Sequence, residues 1–137
     1  MMTENYKKIM HSLANANRSV SLTDINGNSV SFNSSSPFTN ASNQKIIVGS
    51  GTTAPSKSDY CLVNALELIV NTDVNINNLE MHLGATIYNN TSSEVTINEI
   101  GRVLYTSSTN VLISRKVLDS PITLSSGEAI RIIYEIT

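Results

Sequence analysis

The residues that could take part in catalysis are few and are spread along the chain. The sequence holds two histidines, His11 and His82, one cysteine, Cys61, and 11 Asp or Glu residues. Cys61 lies in the apolar run 60–70, where nothing nearby would lower the pKa of its thiol, so we expect a buried, inert thiol rather than a nucleophile. A hydrolase needs clustered acids or a nucleophile beside a base, and the sequence places no such group together. We therefore predict a protein that is not an enzyme and uses no cofactor.

Two segments resemble ligand-binding loops, and each lacks a residue that the ligand requires. The turn-rich stretch 49–59 could be mistaken for a phosphate-binding loop, but such a loop needs Gly-Lys-Ser/Thr leading into a helix, and Lys57 follows Pro-Ser instead. Residues 73–77 begin like a calcium loop, but the sixth position is not the required Gly and the twelfth is not the required Glu. Two separated histidines supply no further ligands. We predict neither a nucleotide site nor a metal site.

The composition predicts a neutral, polar surface. Charged residues make up 15% of the chain, against about 25% in a typical domain, whereas 50 of the 137 residues are Ser, Thr or Asn. Neutral hydrogen-bonding groups suit hairpin turns, and they cost less to bury against a partner than charges do; a host lineage rich in Asn would give the same composition. The net charge of −2 provides no basic face for phosphates, so we expect protein partners and no nucleic acid.

A short helix is predicted over about the first fifteen residues, with Thr3 as N-cap and Glu4 in the first turn. Apolar residues recur there at helical spacing; the stripe consists of Tyr6, Ile9, Met10 and Leu13. An isolated helix of this length is marginal, so the stripe has to dock, either on its own domain or on a neighbouring subunit. We predict a docking segment at residues 1–17, with the four stripe residues as assembly contacts, and a single domain at residues 18–137. Charges run through residues 1–13, so we expect neither a signal peptide nor a membrane anchor.

From residue 19 onward the apolar residues alternate with a period of two. Many short strands with turn residues between them predict an all-β fold, an antiparallel β-sandwich of immunoglobulin-like or jelly-roll-like type. Within the first hairpin, a three-residue loop at 25–27 pairs Leu22 with Val30 and Val20 with Phe32, and it places Gly27 at a left-handed position. A two-residue loop would instead set apolar residues opposite polar ones.

The remaining strands follow from the same alternation. Residues 78–90 direct Leu83 and its neighbours at every second position inward and His82 outward. The other elements that we predict are a short strand at 45–48, a strand apolar on both faces at 62–70, a strand at 73–77, hairpins at 79–102 and 103–118, and a strand at 121–124 that reaches the closing strand, 130–136, through a turn with Gly127.

Two charged residues occupy the same face of their predicted strands as apolar neighbours. Glu99 follows Val95 and Ile97, and Arg115 stands between Ile113 and Val117. Either charge alone on a core face would be costly, so one hypothesis is a partly buried ion pair. The alternative is that each lies where its strand leaves the sandwich and reaches solvent.

Four segments together resemble small virion structural proteins of tailed bacteriophages. They are the Gly-Ser-Gly-Thr-Thr-Ala-Pro linker within 48–62, the Glu-Ile-Gly strand within 95–101, the Leu-x-x-Arg strand within 111–118 and the closing Gly-Glu strand within 122–136. The likeness covers about residues 45–137, and the chain departs from it at Ser50 and at Arg102, where an apolar residue is usual. The resemblance implies a tail, fibre-attachment or head-decorating component of the virion, assembled in the host cytoplasm with copies of itself, as a homo-oligomer, and with other virion proteins. A receptor- or carbohydrate-binding module is the alternative, although a chain with no Trp, two Phe and five Tyr has few aromatic platforms for sugars.

Overall fold

The structure is a computed structural model that describes residues 1–14, 19–32, 44–77, 80–106 and 109–135, with the backbone alone described at 74–77, 80–82, 106 and 135. These residues form one short helix followed by strands, which confirms the all-β fold with an N-terminal helix. In chain order the elements are α1 (Glu4–Ala14), β1 (Val20–Thr23), β2 (Ser29–Phe32), β3 (Gln44–Gly49), β4 (Ile69–Asn77), β5 (Glu80–Tyr88), β6 (Val95–Thr106), β7 (Thr109–Leu124) and β8 (Ala129–Glu135).

Two antiparallel three-stranded sheets pack face to face. Their strand orders are β3-β6-β7 and β4-β5-β8, and β1 and β2 form a separate hairpin. Side chains alternate between the two faces of each strand, so every second residue of β3 and β6 meets every second residue of β5 in one interior. That core contains Ile46, Val48, Ile97, Ile100, Leu83, Ala85 and Ile87. The antiparallel β-sandwich that the alternation predicts is therefore confirmed.

Strand β5 confirms the predicted inward face as far as its side chains are described. Leu83, Ala85 and Ile87 are each 0% exposed. The side chains of Leu79, Met81 and His82 lie outside the described residues, as does Ile136 at the end of the closing strand.

The β1–β2 hairpin has the predicted register. Leu22 pairs with Val30 and Val20 pairs with Phe32. Asp24 donates its backbone N–H to the carbonyl of Asn28 at 2.9 Å, which leaves residues 25–27 as a three-residue loop, and Gly27 has a φ of 83°. A positive φ at this position is what a type I turn followed by a G1 bulge requires.

Helix α1 packs on its own domain. Ile9 is 0% exposed and belongs to a second, smaller core with Leu22, Phe32, Leu104, Val111 and Ile113. This core fills the space between the helix, the β1–β2 hairpin and one end of β6 and β7. The helix therefore docks within the chain, the first of the two possibilities that the sequence leaves open. Independent folding of residues 18–137 stays a prediction.

The predicted strand at 62–70 is wrong for most of its length. Strand β4 begins only at Ile69, and residues 62–68 are irregular apart from a single bridge between Ala65 and Gly49. In this segment the backbone N–H groups of Val63 and Asn64 bond to the carboxylate of Glu99 instead of to a neighbouring strand. The segment covers the outer edge of β3, where Leu66 donates its backbone N–H to the carbonyl of Val48 at 2.9 Å.

The predicted hairpin at 79–102 is also wrong. Strand β5 pairs with β4 and β8, and β6 pairs with β3 and β7, so residues 89–94 carry the chain from one sheet to the other. Asn89 organises this crossing, since its side-chain amide donates to the carbonyls of Ser93 at 2.8 Å and Leu124 at 3.0 Å. The turn at 125–128 likewise connects different sheets, and its Gly127, with a φ of 82°, donates its N–H to the carbonyl of Asn89 at 2.9 Å.

Strand β7 joins two segments that the sequence predicts as separate strands, 111–118 and 121–124. Its pairing with β6 is interrupted between Val117, which faces Glu99, and Ile122, which faces Ile97. Pro121 lies in this interruption, where the lack of an N–H costs no ladder hydrogen bond.

Candidate functional site

A buried ion pair joins the central strand and one edge strand of the β3-β6-β7 sheet. The Nε of Arg115 on β7 lies 2.7 Å from the Oε2 of Glu99 on β6, and the two side chains are 1% and 0% exposed. The ion pair that the sequence predicts is therefore confirmed. The alternative, in which each side chain reaches solvent, is wrong.

The guanidinium of Arg115 also reaches into the long segment that follows β3. Its two terminal nitrogens donate to the Oδ2 of Asp59 at 2.9 Å and to the backbone carbonyl of Thr53 at 2.8 Å. Asp59 is itself held in place, because the backbone N–H of Ser56 donates to its Oδ2 at 2.8 Å. One arginine thus connects β6, β7 and two points of the loop.

The carboxylate of Glu99 accepts hydrogen bonds from the same loop. Its Oε1 accepts from the backbone N–H groups of Gly51 at 3.0 Å and Asn64 at 2.8 Å, and its Oε2 accepts from the N–H of Val63 at 3.1 Å. A buried charge is tolerated when its lone pairs are satisfied in this way. Residues 50–64 therefore fold around an anion that the protein itself supplies.

Two glycines allow this close approach. A Cβ at Gly49 would lie 2.5 Å from the Oε1 of Glu99, and a Cβ at Gly51 would lie 2.6 Å from the same atom and 2.6 Å from the Cβ of Val63. Real Cβ atoms do not come so near. The Gly-x-Gly sequence that resembles a phosphate loop is thus a backbone cradle for an internal carboxylate, since oriented N–H groups bind any anion of suitable size.

Both members of the pair have shifted pKa values. Burial alone would raise the pKa of Glu99, but the hydrogen bonds from Asn64, Arg115, Val63 and Gly51 together bring it below its ordinary value. Burial would lower the pKa of Arg115, and the hydrogen bonds to Glu99 and Asp59 outweigh it, so that pKa is raised. Each group therefore holds the other in its charged form.

Cys61 lies near this network, half-buried rather than fully buried as the sequence suggests. Burial is the largest cause that raises the pKa of its thiol, and the negative charges of Asp59 and Glu99 raise it further. A raised pKa keeps the thiol protonated at neutral pH, which is the opposite of what a nucleophilic cysteine needs.

The four predicted assembly contacts on α1 differ in exposure. Ile9 is buried and Tyr6 is half-buried, whereas Met10 and Leu13 are 46% and 36% exposed. Ile9 is covered by its own domain, Met10 and Leu13 stay accessible, and the role of the four residues as assembly contacts stays a prediction.

The buried face of α1 is more polar than the pattern suggests, because it carries Asn5 and Ser12 beside Ile9. The side chain of Asn5 accepts from the N–H of Thr23 at 3.0 Å and donates to its carbonyl at 2.8 Å, which serves the backbone of β1 as a neighbouring strand would. Thr3 is the N-cap as predicted: its hydroxyl accepts from the N–H of Tyr6 at 3.5 Å.

Arg102, the departure from the bacteriophage pattern, is buried with 4% of its surface exposed. One terminal nitrogen donates to the Oε1 of Gln44, and within the described part of the chain its Nε has no hydrogen-bond partner. Burial lowers the pKa of the guanidinium. Nothing in the structure explains why a charged residue stands here.

A cleft of about 450 Å³ opens between β7 and β8, at the side where the sandwich is not closed. The hydroxyls of Ser114 and Tyr134 bond at 2.5 Å at one end of it. Polar and apolar atoms contribute to its wall in similar proportion; the lining residues are Met1, Met2, Ile100, Ser114, Lys116, Leu118, Ile122, Ile132, Ile133 and Tyr134.

Sequence reasoning misses Asp59, Gly49 and Gly51 as partners of the ion pair. The available signal was a glycine-rich turn without a phosphate lysine, together with a lone acid at a core position that needed donors. The side chains of Glu99 and Arg115 contact the loop and not the cleft, so this arrangement can position the backbone of the loop.

Comparisons with protein-family models, with curated proteins and with solved structures each found no match to this chain. In the described part of the chain, no helix has the length and apolar character to cross a membrane. Across the described ranges, no three His, Cys, Asp or Glu side chains come together so as to hold a metal ion. The class that the fold and site define is a small β-sandwich whose buried ion pair anchors a long loop.

Proposed function

We propose that this protein is a structural component of a tailed-bacteriophage particle, in a tail, fibre-attachment or head-decorating position. It acts by assembling with copies of itself and with other particle proteins, and it carries out no catalysis. The resemblance in the linker, the Glu-Ile-Gly strand and the closing strand suggests the particle. The structure supports a protein that works by binding other proteins through an exposed sheet face.

The observation that carries the proposal is the outer face of the β4-β5-β8 sheet. Ile69, Tyr88 and Ile133 project from this face and are 46%, 39% and 62% exposed. Between them Arg131 makes two hydrogen bonds of 2.8 Å to Asp73, across Gly84, where a Cβ would lie 2.5 Å from the Arg131 guanidinium. Large apolar side chains around a compensated ion pair are typical of a surface that becomes covered in an assembly.

The buried network supports the same proposal from the inside. A particle component has to keep one shape under load, and Arg115 with Glu99 ties 15 residues of irregular backbone, 50–64, to the centre of a sheet. Fully satisfied polar networks make a fold rigid and specific.

The test is immunogold electron microscopy on particles purified from the culture that carries the gene, with antibodies raised against the purified protein. We expect gold at one defined position of the head, neck or tail. Antigen that stays in the soluble fraction of the lysate and does not sediment with particles would exclude the proposal.

A receptor- or carbohydrate-binding module is the second candidate, and exposed tyrosines favour it. Tyr60, Tyr88 and Tyr105 are 43%, 39% and 42% exposed, and the Nζ of Lys45 lies 5.3 Å from the ring centre of Tyr105. They stand on a loop, on β5 and on β6, in different parts of the fold. Glycan-array binding that is lost on Tyr88→Ala or Tyr105→Ala would favour this candidate over the first.

A further inference from the structure

Within the described ranges, strand β8 is an edge strand of its sheet. It pairs with β5 in an unbroken register from Tyr88 opposite Ala129 to His82 opposite Glu135, and among the described residues no strand lies on its other side. Proteins protect such edges with lysine, proline, bulges or a covering segment, because unpaired N–H and C=O groups invite another strand. The sequence of β8, Ala-Ile-Arg-Ile-Ile-Tyr-Glu, contains neither lysine nor proline.

In the other sheet, by contrast, both edge strands are covered by a segment of the chain that bonds to their outer edges. The outer edge of β3 bonds to residues 64–66 through the bridge between Gly49 and Ala65. The outer edge of β7 bonds to the N-terminal residues through the bridge between Met2 and Ser114.

Two features point to an apolar occupant for the β8 edge. Ile133 is 62% exposed, the largest exposure of any large hydrophobic residue in the described ranges. The cleft of about 450 Å³ lies beside the same strand, lined by Ile132 and Tyr134 from β8 and by Leu118 from β7. A strand added to β8 would cover both, because alternate side chains of the new strand would face the cleft and the outer surface.

We infer that the occupant is a second copy of this chain, with the two β8 strands antiparallel across a two-fold axis at Ile133. In this register Ile133 lies opposite Ile133 of the partner subunit. Ile132 then faces Tyr134 of the partner subunit on the cleft side. Apolar residues therefore lie opposite apolar residues across the axis.

Neighbouring registers are less favourable. A shift by one residue sets the outer face of one strand against the inner face of the other. A shift by two in either direction places the exposed Ile133 opposite Arg131 or Glu135 instead of opposite an apolar residue. The edge is therefore self-complementary in one register, and the interface joins two three-stranded sheets into one six-stranded sheet.

This inference rests on the self-assembly part of the proposed function, since it names the surface that a second copy uses. The two can fail separately. A protein that sediments with particles but is monomeric in every assay would overturn the β8 interface and leave the virion proposal in place. A β8 dimer that never enters particles would do the reverse.

The first experiment measures mass in solution by light scattering after size exclusion, over a range of concentrations. The chain has a mass of 14.8 kDa, and we expect the wild type to show twice that value. Ile133→Lys should give the monomer, because it places two lysines opposite each other at the axis. Ile69→Lys is the matched control: Ile69 lies on the same outer face at the opposite edge of the sheet, and the variant should remain a dimer.

The second experiment tests the register with disulfides, in a Cys61→Ser background. Ile133→Cys should form a covalent dimer on mild oxidation, since directly opposed residues of antiparallel strands have Cα separations that a disulfide spans. Ile69→Cys should not. Arg131→Cys should cross-link when mixed with Glu135→Cys and not alone. A wild-type monomer throughout, a dimer that Ile133→Lys leaves intact, or equal cross-linking at positions 69 and 133 would overturn the interface.

Discussion

The Nε of Arg115 donates a 2.7 Å hydrogen bond to the Oε2 of Glu99, and neither side chain is more than 1% exposed. Around this contact the loop 50–64 contributes three backbone N–H donors to the glutamate and two oxygen acceptors to the arginine. Removing one partner therefore leaves the other charge buried without compensation, which is more costly than the net contribution of the pair.

We predict that Arg115→Met lowers the free energy of unfolding by about 3–5 kcal/mol. The cause is the uncompensated carboxylate of Glu99 and the loss of the anchors at Asp59 and Thr53. Urea denaturation followed by circular dichroism measures the change. The matched control is Arg131→Met, which removes a solvent-exposed pair with Asp73 and should leave the midpoint nearly unchanged, because exposed pairs contribute little. Equal shifts in the two variants would contradict a structural role for the buried pair.

Gly51→Ala should destabilise the protein by about 1–3 kcal/mol, because the added methyl group overpacks a filled site. Its Cβ would stand 2.6 Å from the Oε1 of Glu99. Hydrogen exchange should also become faster at the backbone N–H groups of Val63 and Asn64, which bond to the same carboxylate. Thr52→Ala, at an exposed neighbouring position, is the control and should change neither quantity. Unchanged exchange in Gly51→Ala would mean that the loop does not depend on this cradle.

Acid should weaken the fold partly through Glu99. Its pKa in the folded protein lies below the ordinary value, so ionised Glu99 stabilises the fold above the unfolded-state pKa of about 4.3. This contribution is lost as the pH falls through the lower, folded-state pKa. We expect the free energy of unfolding to fall less steeply below about pH 4.3 in Glu99→Gln than in the wild type. Glu94→Gln, at an exposed position, should keep the wild-type slope, and a wild-type slope in Glu99→Gln would refute the prediction.

The docking of α1 on its own domain is tested by two neighbouring residues of the helix. Ile9→Ala should cost about 2–5 kcal/mol, as for other large-to-small changes in a core. Met10→Ala, at a side chain that is 46% exposed, should stay within about 0.5 kcal/mol. Thermal or urea unfolding measures both. A larger effect at Met10 than at Ile9 would show that the helix packs differently in solution.

Parts of this fold could be predicted because a local rule determined them. The β1–β2 register follows from two requirements, a shared apolar face and a positive φ at Gly27, that only one loop length meets. The Glu99–Arg115 contact follows from the alternation of the strands, because two opposite charges on the core faces of neighbouring strands compensate each other.

Other parts depend on long-range geometry that alternation does not encode. Residues 89–94 join strands of different sheets, yet the flanking residues alternate as they would in a hairpin. Residues 62–68 are mostly apolar, which is typical of a buried strand. In the structure, however, backbone N–H groups of this segment donate to the carboxylate of Glu99. On α1, Asn5 takes a buried position because β1 needs a hydrogen-bond partner at Thr23, which a count of apolar residues cannot reveal.

Incorporation into a particle is tested most directly by quantitative mass spectrometry of particles purified on a density gradient. We expect peptides of this protein at a constant ratio to the other particle proteins across independent preparations and after a high-salt wash. A ratio that varies between preparations, or peptides that the wash removes, would contradict a structural place in the virion.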